Sequence, residues 1–178
     1  MRPAVFLDRD GVVSRSSIRE RKPYPPRSLA EMELLPGVLA ALQALKVGGY
    51  CLVIVTNQPD IARGTTHMTV VNSMNDWLMS ILPVDAVLMC PHDDDDGCQC
   101  RKPLPGLIMQ AARELRIECA ASYMIGDRWR DVEAGRRAGC KTFFIDRGYD
   151  EPAPESCDFR VGSLPDAAKI ILRTDKLS

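Results

Sequence analysis

Short apolar runs alternate along this chain with segments of helical pattern. The runs fall at residues 4–7, 51–55, 86–89, 123–125 and 142–145, and each has the length and composition of a buried strand. Helical patterns occupy residues 36–47, 69–81, 105–115, 131–138 and 165–172. Pro36-Gly37 and Pro105-Gly106 mark helix starts with proline in the first turn, while Gly48-Gly49 and Gly139 mark helix ends. Such alternation predicts right-handed βαβ units: an α/β, three-layer, doubly wound and mostly parallel sheet with helices on both faces. Two stretches break the rhythm. Residues 14–35 are polar, basic and proline-rich, and residues 90–103 are crowded with cysteine and aspartate. Long loops inside a compact domain are usually functional or disordered. Both are expected to leave the sheet at its carboxyl edge, where sites in open α/β sheets collect.

Composition narrows the class. At 178 residues the chain is read as a single domain over 1–178, with residues 90–103 as an insertion. Hydrophobic residues make up 46% and charged residues 26%, with a net charge of −1 and no basic run, which argues against a nucleic-acid surface. No apolar stretch approaches the roughly 20 residues that cross a bilayer, and the chain opens directly on a strand, so a cytoplasmic protein with no membrane partner is expected. No long apolar seam suggests a partner copy, and a monomer is the default expectation. Seven cysteines, an odd number in a cytoplasmic chain, do not form a disulfide framework. Cys51, Cys119, Cys140 and Cys157 are scattered and read as core or surface thiols.

The first strand carries the most informative chemistry. Val5-Phe6-Leu7 runs into Asp8-Arg9-Asp10-Gly11, two carboxylates two positions apart at a strand end. Like charges so close need a cation beside them. Thr56-Asn57-Gln58 ends the second strand, Arg101-Lys102-Pro103 follows the cysteine-rich loop, and Gly126-Asp127 ends the fourth strand with Asp131 just beyond. Each has an ordinary reading alone, as a turn, a solvated pair or a helix-start carboxylate. Together, each at a strand end, they assemble a phosphoryl-transfer site. A magnesium ion on Asp8, the Asp10 carbonyl and Asp127 would offset the repulsion between a phosphate monoester and an anionic nucleophile. Asp8 would attack phosphorus to form an aspartyl phosphate. Asp10 would protonate the leaving alkoxide and later activate water. Thr56 and Lys102 would stabilise charge on the transferring oxygens, with Asn57 at the phosphate and Asp131 in support.

Cys90, His92, Cys98 and Cys100 place three thiols and an imidazole within eleven positions. This is a tetrahedral zinc set with no open position, so the ion is expected to fold the loop and to do no chemistry. The four aspartates at 93–96 lack the alternating spacing of a calcium loop and are expected to solvate the loop tip.

These motifs resemble those of haloacid dehalogenase superfamily phosphatases. Leu7-Asp8-Arg9-Asp10-Gly11, Ile61-Ala62-Arg63-Gly64, the Cys-Pro-His…Cys-x-Cys-Arg-Lys-Pro-x-Pro-Gly loop and Ala121-Ser122-Tyr123-Met124-Ile125-Gly126-Asp127 resemble, more closely, the D-glycero-D-manno-heptose 1,7-bisphosphate 7-phosphatases. The similarity spans about residues 4–146. It implies a HAD-like, Rossmannoid fold, a magnesium-dependent phosphatase with structural zinc, and a small phosphorylated sugar as substrate. It also implies that Arg63 and Arg101 lie near that substrate, as the second phosphate of a bisphosphate requires. Histidinol-phosphate phosphatases share the catalytic motifs and the loop, including its short His-to-Cys spacing, and stay open as an alternative. The chain departs from the heptose pattern at Pro59-Asp60, at residues 21–26 and at Arg128-Trp129-Arg130. About 45 residues separate Asp10 from Thr56, and Thr56 from Lys102, which leaves no room for a large cap. The site is therefore expected to be open, its specificity set by residues 14–35, 59–64 and 90–101. Rival readings are a phosphoacceptor signalling domain, a polynucleotide 3′-phosphatase and a zinc-organised interaction module.

Overall fold

The structure is a computed structural model and describes residues 1–174. Its elements, numbered in chain order, begin with β1 (Ala4–Leu7), the short pair β2 (Ser17–Arg19) and β3 (Lys22–Tyr24), α1 (Val38–Val47) and β4 (Cys51–Asn57). There follow α2 (Met68–Ile81), β5 (Ala86–Cys90), α3 (Gly106–Leu115), β6 (Tyr123–Gly126) and α4 (Trp129–Arg137). The chain then runs through β7 (Lys141–Ile145), β8 (Phe159–Val161) and α5 (Leu164–Thr174).

Six strands form one sheet in the order β5-β4-β1-β6-β7-β8, each pair parallel. From β1 the chain winds outward through β4 to β5, then returns to β6 and winds the other way. The strand order therefore reverses beside β1, and in such sheets the crevice at the carboxyl ends next to that point receives ligands. The period-two alternation of strand side chains builds two cores. Val5, Leu7, Leu52, Ile54, Ile125 and Phe143 pack with α1 and α5 on one face. Ala4, Phe6, Val53, Val55 and Met124 pack with α3 and α4 on the other. Because β1 and its neighbours are covered on both faces, charge can gather only where they end.

All five expected strands and all five expected helices are present, with differences at the edges. Pro36 and Pro105 sit before their helices: Gly37 is the N-cap of α1 in the left-handed region (φ 75°), and Pro105 is itself the N-cap of α3. Helix α4 starts two residues early, because the Arg128 amide donates to Asp131 and caps the first turn. Within the expected loop 14–35 the chain folds a hairpin, β2–β3, paired Ser17↔Tyr24 and Arg19↔Lys22. Strand β8 is also new, held by Asp158, whose carboxylate accepts from the Thr142 amide (2.7 Å) and hydroxyl (2.8 Å). No helix among the described residues is long and apolar enough to cross a membrane.

Candidate active site

Where β1, β4 and β6 end, the side chains are charged and yet buried. After Asp8 the chain turns at Gly11 (φ +93°), and the amides of Val13 and Ser14 both return to the Arg9 carbonyl. Residue 11 has no space for a side chain: a Cβ there would lie 1.9 Å from Asp127 Oδ2. At Gly126 a Cβ would lie 2.0 Å from that of Asp131. These two glycines let Asp127 and Asp131 close over the end of β1. Oxygens of Asp8, Asp127 and Asp131 consequently fall within 4.8 Å of one another.

Lys102 holds this cluster together. Its ammonium donates to Asp8 Oδ1 (2.6 Å) and the Val55 carbonyl (2.8 Å) and lies 2.6 Å from Asp131 Oδ1. That engages all three ammonium hydrogens. Burial opposes the charge, but Asp131 and Asp8 outweigh it and hold the ammonium above the ordinary lysine range. Asp131 Oδ2 accepts from the Arg128 amide (3.0 Å), so both oxygens of Asp131 are engaged within the protein. Asn57, expected at the phosphate, lines the cleft and also clamps Lys102. Its side-chain nitrogen donates to the Lys102 carbonyl (3.0 Å) and its oxygen accepts from the Lys102 amide (3.1 Å), which fixes the lysine backbone against β4.

Asp10 is held by three residues. Arg9, whose side chain is fully buried, donates to both Asp10 oxygens from Nε (3.1 Å each) and to Oδ2 from Nη2 (2.8 Å). The Ser14 hydroxyl (3.0 Å) and Gln58 Nε2 (2.9 Å) complete the shell, and Gln58 also donates to Thr56 Oγ1 (2.9 Å). The sequence offered Arg9 inside a motif without a role, and suggested the Gln58 amide for a phosphate oxygen, whereas here it donates to Asp10 and Thr56. Tyr149, in the segment after β7, donates its hydroxyl to Asp127 Oδ2 (2.7 Å) and carries no local signal at all.

The acidic cluster fits a divalent cation. Burial, with help from Asp131 and Asp10, raises Asp8 to about 6 even though Lys102 counters it. Asp127 is raised well above the usual carboxylate range, by burial first and then by Asp8 and Asp131. Its Oδ1 is buried with no hydrogen-bond partner. Buried carboxyl groups in this condition favour a hard cation, and Asp8 and Asp127 are the pair with capacity to hold magnesium.

Beside this cluster, the loop after β5 brings four soft ligands together. His92 Nδ1 lies 3.5 Å from Cys90 Sγ and 3.3 Å from Cys100 Sγ, while Cys90 Sγ lies 3.7 Å from Cys98 Sγ and 3.1 Å from Cys100 Sγ. Around a tetrahedral zinc such ligand atoms stand roughly 3.5–3.8 Å apart, so the four could hold that ion with one sulfur pair slightly spread. The aspartates at 93–96 do more than solvate the tip. Asp93 and Asp96 cap a short 3-10 turn, Asp93 takes Arg63 (2.5 and 2.7 Å), and Asp94 takes Arg101 (2.9 Å) and Arg130 (2.5 Å). Arg101 also donates to the His92 carbonyl (3.2 Å) and turns onto the loop, away from the cleft where Arg63 lies.

A cleft of about 320 Å³ opens over these groups. Asp8, Asp10, Thr56 and Lys102 form part of its floor; the hairpin residues Lys22–Tyr24 form one wall. Asp60 and Arg63 also line it.

The HAD-hydrolase-like family model matches residues 99–166. A D-glycero-beta-D-manno-heptose-1,7-bisphosphate 7-phosphatase of Bordetella bronchiseptica is 35% identical over 93% of this chain and 90% of its own. Its counterpart in Yersinia pestis is 36% identical over 95% of each chain. The chain belongs to the heptose-1,7-bisphosphate 7-phosphatase family. Among solved structures, the B. bronchiseptica D,D-heptose 1,7-bisphosphate phosphatase, complexed with magnesium and phosphate, superposes with a TM-score of 0.82 at 33% identity, over 97% of this chain and 99% of that one. The fold is thus HAD-like and the chain a phosphatase. The hairpin and the Pro59-Asp60 turn both border the cleft, while Asp93 and Asp94 of the cysteine loop line a second hollow that shares Lys102 with it.

Proposed function

We propose that this protein hydrolyses the 7-phosphate of D-glycero-D-manno-heptose 1,7-bisphosphate, as a cytoplasmic monomer with no nucleic-acid or membrane partner. The observation that carries the reading is the buried Asp8–Lys102 pair, 2.6 Å apart, inside a carboxylate cluster at the strand-order reversal. The kinship with enzymes of that name supplies the substrate. Lys102 engages Asp8 Oδ1 and orients the carboxylate, leaving Oδ2 for attack on phosphorus and formation of an aspartyl phosphate. Asp10, positioned by Arg9, Ser14 and Gln58, enters the step protonated and gives that proton to the leaving alkoxide. It then takes the proton of the water that breaks the intermediate. Thr56 presents its hydroxyl to the transferring phosphoryl group. Asp8, the Asp10 carbonyl and Asp127 would hold magnesium, which would supply charge neutralisation. Arg63 borders the cleft while paired with Asp93, and Arg101 steadies the loop that delivers Lys102.

The test is phosphate release with magnesium from both anomers of the heptose bisphosphate, histidinol phosphate, other sugar phosphates and a 3′-phosphorylated oligonucleotide. Histidinol phosphate belongs in the panel because only five residues separate His92 from Cys98. Preference for the heptose bisphosphate is expected, with Asp8→Asn lowering turnover by about a thousandfold or more while the fold persists. Retained activity in Asp8→Asn would sink the covalent route.

A further inference from the structure

The cations around the cleft are not equally available. Arg63 is gripped by Asp93 from two nitrogens and lies 3.7 Å from Asp60. Arg130 rests on Asp94, and Arg128 is paired through two nitrogens with Glu151. Lys102 has all three hydrogens engaged. For an incoming phosphate, each of these arginines offers only an exchange of one anion for another. Lys22 is different. It is exposed, lines the cleft, and makes no ion pair or side-chain hydrogen bond among the described residues.

Its position is also built. Lys22 begins β3 directly after a two-residue turn in which Glu20 (φ 49°) and Arg21 (φ 60°) both adopt the left-handed conformation. Glycine or asparagine usually fills such turns, and holding two other residues there stores strain that the surroundings must sustain. The sustaining contacts are visible. The Asp150 amide donates to the Arg21 carbonyl (2.9 Å), and the Arg21 guanidinium reaches the Gly148 carbonyl (3.4 Å). The hairpin is thereby fastened to the segment whose Tyr149 binds Asp127. On the far strand the Arg19 guanidinium sits 5.7 Å from the centre of the Tyr24 ring, which stiffens the same sheet.

We propose that Lys22 is a specificity-determining residue: it recognises the second anionic group of the substrate, the phosphate that is not hydrolysed. This rests on the proposed function. A dianion arriving at Lys22 gains a charge-assisted hydrogen bond outright, with no carboxylate to displace.

The experiment compares phosphate release from the heptose 1,7-bisphosphate and from the heptose 7-phosphate in wild type, Lys22→Ala and Lys22→Arg. The ratio of kcat/KM for bisphosphate over monophosphate is expected to fall about tenfold in Lys22→Ala, through KM, and to recover in Lys22→Arg. An unchanged ratio overturns the assignment, as does an equal loss on both substrates, which would mean that the hairpin only shapes the cleft. A wild-type protein that releases no phosphate from either compound overturns the proposed function and the Lys22 assignment with it.

Discussion

At the scale of single residues, the site is a set of buried charges, each stable only because of a named neighbour. Arg9 is the extreme case, a guanidinium with no exposed side-chain surface, held by Asp10 and by Asn75 Oδ1 (2.9 Å). Removing one member of such a pair leaves the other charge buried and uncompensated, which costs about 3–5 kcal/mol. Arg9→Met is therefore expected to destabilise the fold by roughly that amount. It is also expected to lower kcat, because Asp10 loses the donor that fixes its angle. Urea unfolding at constant m-value measures the first effect and steady-state kinetics the second. By contrast, replacing Arg15, whose pair with Glu33 is about half exposed on both sides, is expected to shift stability by under about 1 kcal/mol. If Arg9→Met also falls below that figure, Asp10 is reached by solvent and the positioning argument fails.

At the scale of elements, what the sequence revealed and what it hid separate on physical grounds. Strands β1, β4 and β6 are covered on both faces, so their apolar runs are continuous and visible. The hairpin strands are three residues long with mostly exposed side chains, and β8 is equally short, so neither imposes a pattern. The motif carboxylates were legible because strand ends announce them, and Lys102 because it closes the cysteine-rich loop after β5. Tyr149 was not, since a segment 22 residues beyond Asp127 brings it back only through the fold. Arg63 and Arg101, expected near the substrate, also pair with Asp93 and Asp94, and no sequence pattern announces those partners because they are set by how the loop after β5 folds. That loop carries its own prediction. Cys98→Ser is expected to lose bound zinc in metal analysis and to raise amide exchange across residues 91–101. Because Asn57 clamps the Lys102 backbone independently, the loop tip should loosen more than Lys102 itself. Full zinc occupancy in this variant would show that the ligand set is wrong.

For the whole molecule, folding gathers acidic side chains at the point where the strand order reverses, and stability must therefore depend on both pH and metal. Asp8 is raised from an ordinary value of 3.8 to about 6, chiefly by burial, so the folded protein holds a proton there that the unfolded chain has released. Between those values the native state binds more protons than the unfolded state, and stability falls as pH rises. The stabilising contribution of the protonated group is complete below about pH 4 and lost once the pH passes about 6. Asp127, raised by the same burial and by Asp8, acts in the same direction. A divalent cation reverses the balance because it binds the ionised forms. Magnesium at about 100 times its dissociation constant contributes about 2.7 kcal/mol, which for a chain of this size corresponds to a rise in Tm of roughly 5–10 °C. That rise is expected at pH 7.5 and largely absent at pH 5, where protons compete for Asp8. Thermal unfolding of desalted protein at both pH values, with and without magnesium, measures it. Asp127→Asn is expected to abolish the magnesium-dependent rise at pH 7.5. An equal rise at both pH values, or one that survives Asp127→Asn, would place the magnesium elsewhere and remove Asp8 and Asp127 as its ligands.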